Sequence, residues 1–472
     1  MVDLHLKPNM AISNVSSIPS PRSNFRKPDV PSNDNTALSS SAHRLSYEHY
    51  LRLPELSRLW TDRDFPEWKS EPTVKPALQA LEITFRLVSH VLSDPRRYSD
   101  TSEWKRRLGS LCSRQLEVIS SLLQDSDSGI PVADLGSTRG VLVRERSSQE
   151  VWRLDGSADT FLSRTSESSL LPRLAAWEKS SSFAQSVSFQ IESLLHSCPF
   201  TLGLGEPNLA GKPSLEYDLI VRPTALHSLK KRCHSEYSKN QENDVLFTIH
   251  HVLESWLCTC RELLREIGSK IELKEWSKAA SGCWLLERIW KMLSEIEDLH
   301  LMMDPDDFLR LKSELAIKSS SGPDPFCFRS AALLEVTNMS KNLKHNVPNV
   351  LGVEVDPNGG PRVQEAAMRL FHSSQRGKGD KSGRLHLLQA FQAVEGAVKK
   401  FFFGYRQLVM TVMGSLEATG NRGLVGMESS DTLSQMFMEP PYFPSLDAAK
   451  TFLGELWQCE LNKSSSSSSL KQ

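Results

Sequence analysis

Apolar residues recur at spacings of three and four along most of this chain, and that period restricts the fold more than any other feature. Between 282 and 303, Leu285, Ile289, Leu293, Ile296 and Met303 form one stripe, with Glu287, Arg288, Lys291 and Glu295 outside it. Such a stripe is one face of a helix turned toward a core. Leu78, Leu81, Phe85, Val88 and Leu92 repeat the pattern and predict an amphipathic helix. Pro76 sits near its start, where a fixed φ and a missing N–H are tolerated. Leu108, Leu111, Leu116, Ile119 and Leu122 repeat the pattern between Trp104 and Leu123. Further helices are expected at about 171–195, 244–271, 305–316, 326–346, 361–372, 384–414 and 446–459. Strand-like alternation is scarce and there is no internal repeat. The class is all-α, a large helical bundle.

The chain has 472 residues, 39% hydrophobic and 24% charged, a composition that suits a soluble globular protein with a sizeable core. A net charge of -1 without a basic stripe argues against a nucleic-acid or anionic-membrane partner. No apolar run approaches the roughly 18–20 residues of a membrane span. The first residues lack a secretory apolar core, and Asp3, Asp29 and Asp34 argue against an organelle-transit segment. Eight cysteines at irregular spacings are too sparse for a disulfide scaffold and suit a reducing compartment. The expected location is cytoplasmic, with the nucleus as a second compartment.

Composition divides the chain into five parts. Residues 1–43 are Ser/Pro/Asn-rich and are expected to be disordered. An N-terminal helical region spans 44–124, and a mobile Ser/Gly-rich loop spans 125–169. The main helical bundle spans 170–461, and 462–472 form a disordered Ser-rich tail.

Three constellations invite chemical readings. Gly203-x-Gly205…Gly211-Lys212 suggests a phosphate loop, but Walker spacing puts Glu206 where glycine is required and Pro213 where Ser or Thr is required. A structured loop is the reading that fits. Glu297-x-x-His300 is half of a di-iron ligand set, and no second Glu-x-x-His accompanies it, so a solvated or salt-bridged helix face is expected. His250, Glu254 and Cys258 share a helix face, as a metal corner or as a histidine hydrogen-bonded inside a bundle. Cys258-x-Cys260 lacks zinc or redox spacing.

The order of the central helices resembles the haem-dependent tryptophan/indoleamine dioxygenases. His250 precedes Glu254-Ser255-Trp256, as the distal histidine precedes Glu-x-Trp in that family. Phe328-Arg329 matches the turn whose arginine meets the substrate carboxylate. The late helix FFFGYRQLVMTVMG places Met410 where the iron-bound histidine falls, and Ala-Thr-Gly-Asn-Arg-Gly-Leu-Val-Gly matches the following substrate loop only in part. Methionine ligates haem mainly beside a histidine partner, and an oxygen-activating site needs a stronger proximal donor. The resemblance therefore implies a dioxygenase-like fold without cofactor, metal or catalytic residues. It leaves a ligand pocket lined by His250, Arg329 and Trp256, able to hold an indole-like molecule in a pseudo-enzyme sensor.

A second resemblance spans about 47–457. It rests on Tyr50-Leu-Arg-Leu-Pro-Glu-Leu56, Arg63-Asp-Phe-Pro66, Leu78-Gln-Ala-Leu-Glu-Ile-Thr-Phe-Arg-Leu87 and Thr201-Leu-Gly-Leu-Gly-Glu206. Phe401-Phe-Phe-Gly-Tyr-Arg-Gln407 and Tyr442-Phe-Pro-Ser-Leu-Asp-Ala-Ala-Lys-Thr-Phe-Leu453 complete it. These segments resemble the HSPRO-type nematode-resistance proteins of plants. The resemblance implies a non-enzymatic defence and stress regulator, acting in basal resistance to nematodes and bacteria. It also implies a partner, the regulatory βγ-type subunit of the plant sucrose-non-fermenting-related kinase.

Overall fold

The computed structural model describes residues 47–96, 100–124, 129–133, 166, 168–206, 208, 211–229, 241–316, 330–354, 362–373, 380–413 and 436–454. All lie in one compact unit, His43–Gln472. The segments 1–43 and 462–472 and most of 125–169 lie outside the described residues.

A helical turn at 47–51 precedes α1 (Leu53–Thr61), α2 (Glu71–Ser93) and α3 (Thr101–Gln124). Next come α4 (Leu170–Ala176), α5 (Ser181–Leu194), α6 (Tyr217–Val221) and α7 (Pro223–Ser228). The long helices α8 (Gln241–Glu272) and α9 (Trp276–Glu297) follow, and a 3-10 turn over Asp298–Met302 leads to α10 (Pro305–Ala316). Last are α11 (Ala331–Asn342), α12 (Val347–Leu351), α13 (Arg362–Ser373), α14 (Asp380–Met413) and α15 (Pro444–Thr451). Beside them, among the described residues, is one short antiparallel ribbon, β1 (Val132–Ala133) on β2 (Ser214–Leu215), with Val132 opposite Leu215.

The principal packing runs in a row: α3 on α2, α2 on α8, α8 on α9, α9 on α14. Helices from 44–124 and from 170–461 share one hydrophobic core, so the boundary between those regions marks a connection rather than two cores. The α8–α9 hairpin turns at Leu273–Glu275, where Lys274 takes a positive φ of 60°. Close approach within it depends on Gly282. A Cβ there would lie 2.8 Å from Ile267 Cγ1 on α8. On the far side, Trp290 meets Phe401 edge-on at 5.4 Å, which is how the aromatic run at 401–403 is used. Phe401 and Phe402 are buried, whereas Phe403 faces outward.

Helix α2 departs from the amphipathic expectation. Its apolar stripe is buried, but so are Glu71, Lys75, Gln79, Glu82 and Arg86 on its other side. A buried polar side chain is tolerable when bonded. Lys75 Nζ donates to Asp64 Oδ2 at 2.7 Å and to the Asp62 carbonyl. Glu71 accepts the backbone amides of Asp64 and Phe65, which closes the Arg63-Asp-Phe-Pro66 turn.

No described helix is long and apolar enough to cross a membrane. The haem reading meets an obstacle in α14. Tyr405 and Leu408 are buried, while Met410 is 41% exposed. Met410 stands roughly 200° around the helix from Leu408 at ~100° per residue. The supposed iron-ligand position therefore faces outward.

Candidate functional site

A group of buried titratable side chains lies along α8, facing the turn at 47–51 and the end of α9. Tyr47 donates to Glu254 Oε1 at 2.9 Å, and its oxygen is 3.2 Å from His250 Nδ1. Tyrosine has one proton to give, so His250 carries its own on Nδ1 and donates it to Tyr47. The His250 ring meets the His300 ring edge-on at 5.5 Å. His300 Nδ1 donates to the Glu297 carbonyl at 2.7 Å. Glu254 also bonds Ser330, whose Oγ caps α11 by accepting the Leu333 amide at 3.0 Å. One carboxylate thus joins three chain segments.

Burial dominates the electrostatics here. It pushes the Glu254 carboxyl up to about 7 against the lowering pull of Ser330 and Tyr47. Burial, then the nearby charges of Asp298 and Glu254, push Glu297 up to about 8. Glu297 Oε1 accepts no hydrogen bond. Burial holds His300 down at about 4 and His250 well below the ordinary histidine value. At neutral pH the histidines are neutral and Glu297 retains its proton. Glu297 and His300 are 2% and 7% exposed, which replaces the expected solvated face with a buried one. Among the described residues, no group of three or more His, Cys, Asp or Glu could hold a metal ion.

Arg86 adjoins this seam. Its Nη2 lies 3.3 Å from His251 Nδ1, while His251 Nε2 lies 2.7 Å from the Leu51 carbonyl. His251 therefore donates from Nε2 and accepts from Arg86. Burial lowers the Arg86 guanidinium to about 10, and its Nε and Nη1 make no hydrogen bond. Glu82, one turn earlier, is occupied elsewhere. It accepts from Ser169 Oγ, the Leu170 amide and Tyr217, and lies 2.8 Å from His227 Nε2.

The glycine-rich loop is closed by its own acid. Glu206 accepts the amides of Gly203 and Leu204, and within the Walker window the amides of Gly211 and Lys212, which a phosphate would need, donate to Asn208. Lys212 Nζ reaches the carbonyls of Leu195, His196 and Cys198 beyond the end of α5. This is the structured loop expected from the failed Walker spacing.

The structure does not bring His250 and Trp256 together at one pocket. They lie about 120° apart around α8 by helical geometry. Trp256 is fully buried and donates from Nε1 to Gln115 Oε1 at 3.0 Å. Arg329 lies outside the described residues. Sequence reasoning missed Tyr47, Arg86 and the meeting of the two His–Glu pairs. A signal for that meeting existed. The pairs stand at nearly equal distances on either side of Lys274, and a short connection makes two helices antiparallel neighbours.

A family model described as the Hs1pro-1 N-terminus matches residues 1–192, and one described as the Hs1pro-1 protein C-terminus matches 195–459. The chain is similar to the Arabidopsis thaliana protein named Nematode resistance protein-like HSPRO2, with 48% identity over 457 residues and 96% of each chain covered. It is similar to Nematode resistance protein-like HSPRO1 of the same plant, with 50% identity over 419 residues, 89% of this chain and 91% of that protein. No solved structure matches, so no neighbour supports the dioxygenase likeness.

Proposed function

Because the chain belongs to the Hs1pro-1 family, we propose that it acts in plant defence as a non-enzymatic regulator. It serves as an adaptor in basal resistance to nematodes and bacteria, in the cytoplasm and the nucleus. Its partner is the regulatory βγ-type subunit of the sucrose-non-fermenting-related kinase. The observation that carries the defence role is likeness over nearly the whole chain to proteins named for nematode resistance. The chemistry of the core supports a scaffold. The buried acids and histidines tie helices together, and burial pushes the Cys112 and Cys258 thiols up to about 12, far from a thiolate nucleophile.

The surface of α14 offers a contact for the adaptor. Phe403 and Met410, seven residues apart on one helix face, are 49% and 41% exposed. Phe403 also packs edge-on against Phe437 at 5.4 Å. Exposed apolar side chains grouped on one face are characteristic of a contact with another protein. The test is capture of the purified kinase subunit by the full chain, beside a Phe403→Asp, Met410→Asp variant. Capture by the wild type, reduced at least tenfold in the variant, is expected. No capture by a folded wild type would sink the adaptor reading, and equal capture by the variant would move the contact off α14.

A further inference from the structure

The tyrosine-phenylalanine-proline segment before α15 borders a cavity of about 170 Å³, away from the buried seam. Its walls include Val347, Val363, Phe443 and Leu446, and its polar lining includes Lys344 and Ser445. The walls are held firmly. Phe443 stacks on Phe391 at 5.7 Å, and the adjacent Tyr442 amide donates to Glu395 Oε1 at 2.9 Å. Tyr442 itself sits under two ammonium groups, Lys341 and Lys399, at 5.8 and 5.0 Å from its ring.

The charges around this cavity are unequal. Lys341 is neutralised by Glu439 at 2.7 Å and Lys399 by Glu395 at 2.8 Å. Lys344, one turn beyond Lys341 and on the cavity, has no carboxylate partner among the described residues. Among the described residues, no Asp or Glu lines the cavity. Asp447, the nearest acid along the chain, accepts from Gln392 Nε2 at 2.6 Å. The Ser445 hydroxyl is likewise without a partner among the described residues. A concave apolar chamber with a few convergent polar groups of one sign is the usual form of a small-ligand site.

We infer that this cavity binds a small monocarboxylate with a compact apolar body, its carboxylate on Lys344 and Ser445 and its body against Val347, Val363, Phe443 and Leu446. The size suits a small body. A protein cavity of about 150 Å³ accepts benzene, so this cavity has room for one ring or a short branched chain. The unpaired ammonium and the absence of lining acids set the sign of the ligand. The site is independent of the adaptor reading and of the exposed Phe403 and Met410 face of α14.

The test is calorimetric titration of the full chain with benzoate and with benzamide, its neutral counterpart. Saturable benzoate binding with a Kd on the order of 0.1–1 mM is expected for a ligand of this size, with benzamide at least fivefold weaker. Lys344→Met should remove that preference, and Lys278→Met, a substitution of an exposed lysine on α9, should leave it intact. Val363→Trp fills the chamber and should abolish binding, with circular dichroism reporting whether that variant folds. Because Lys344 is exposed, its variant decides the question even if Val363→Trp does not fold. No saturable benzoate binding by wild type, or equal binding by Lys344→Met, would overturn the assignment. Tighter binding of N-acetyl-leucine than of benzoate would assign the chamber to a peptide C-terminus and would also overturn it.

Discussion

Glu82 and Glu297 are both sealed from water, one on α2 and one at the end of α9, yet their surroundings are opposite. Glu82 meets Ser169, the Leu170 amide, Tyr217 and His227. Glu297 has one oxygen 3.5 Å from His300 Nδ1 and the other bonded to nothing. A carboxylate surrounded by donors organises the chain around it, because each donor would be orphaned without it. A carboxylate nearly bare of donors lowers its cost of burial by keeping its proton. The first acid is therefore a structural tie, and the second makes the fold sensitive to pH.

Removing the tie should produce the largest effect. Glu82→Ala leaves donors on the α4 entry, α6 and α7 without an acceptor. A loss of about 3–5 kcal/mol is expected, the range for breaking a buried charged contact. Urea unfolding of the full chain measures it. A loss below about 1 kcal/mol, the size of an ordinary substitution, would erase the distinction between the two acids.

The second effect is a dependence on pH. Glu297 and Glu254 hold their protons to about 8 and about 7, against an ordinary value of 4.5. The folded chain thus keeps protons that the unfolded chain releases. That stabilising contribution is complete below 4.5 and is lost as pH rises through the folded values. The histidines act in the opposite sense. The contribution of His300 is present above 6.5 and is lost as pH falls toward about 4. Between about pH 6.5 and 8 only the acids change, and stability should fall by up to about 2 kcal/mol through Glu297 and by less than about 1 kcal/mol through Glu254. Glu297→Gln should flatten that slope relative to wild type. Parallel unfolding curves across the window would mean that Glu297 is not the group responsible.

The contrast between the two acids also marks where the sequence was readable. Helix α10 begins and ends at the residues its periodicity predicts, because caps and period are local. The helix expected at about 171–195 is broken between Ala176 and Ser181. There Ser180 Oγ turns back to the Leu174 carbonyl, a local competition with the helix that apolar spacing does not report. On α2, the apolar stripe was visible in the sequence, while the fate of the opposite face was not. Glu71, Lys75, Gln79, Glu82 and Arg86 are spaced as a face, but period alone cannot tell water from donors brought in by distant segments. Glu297-x-x-His300 and His250-x-x-x-Glu254 were each visible as motifs. Their meeting required the hairpin geometry of α8 and α9 as well as the residue types.

The smallest expected effect tests the resemblance that the fold leaves without support. If Met410 stood where a proximal histidine belongs, Met410→His would create a haem site near His250. The structure turns Met410 outward, while His250 is 1% exposed and engaged with Tyr47. An exposed helical substitution of this kind changes stability within about ±0.5 kcal/mol, and it has no enclosed face on which to seat a porphyrin. Haemin titration should therefore give no specific Soret band for either wild type or Met410→His. A stoichiometric Soret shift gained only by the variant would require α14 to turn its outer face toward α8. That would make the sealed seam a remnant of a haem pocket, and the contrast between Glu82 and Glu297 would then divide scaffold from former active site.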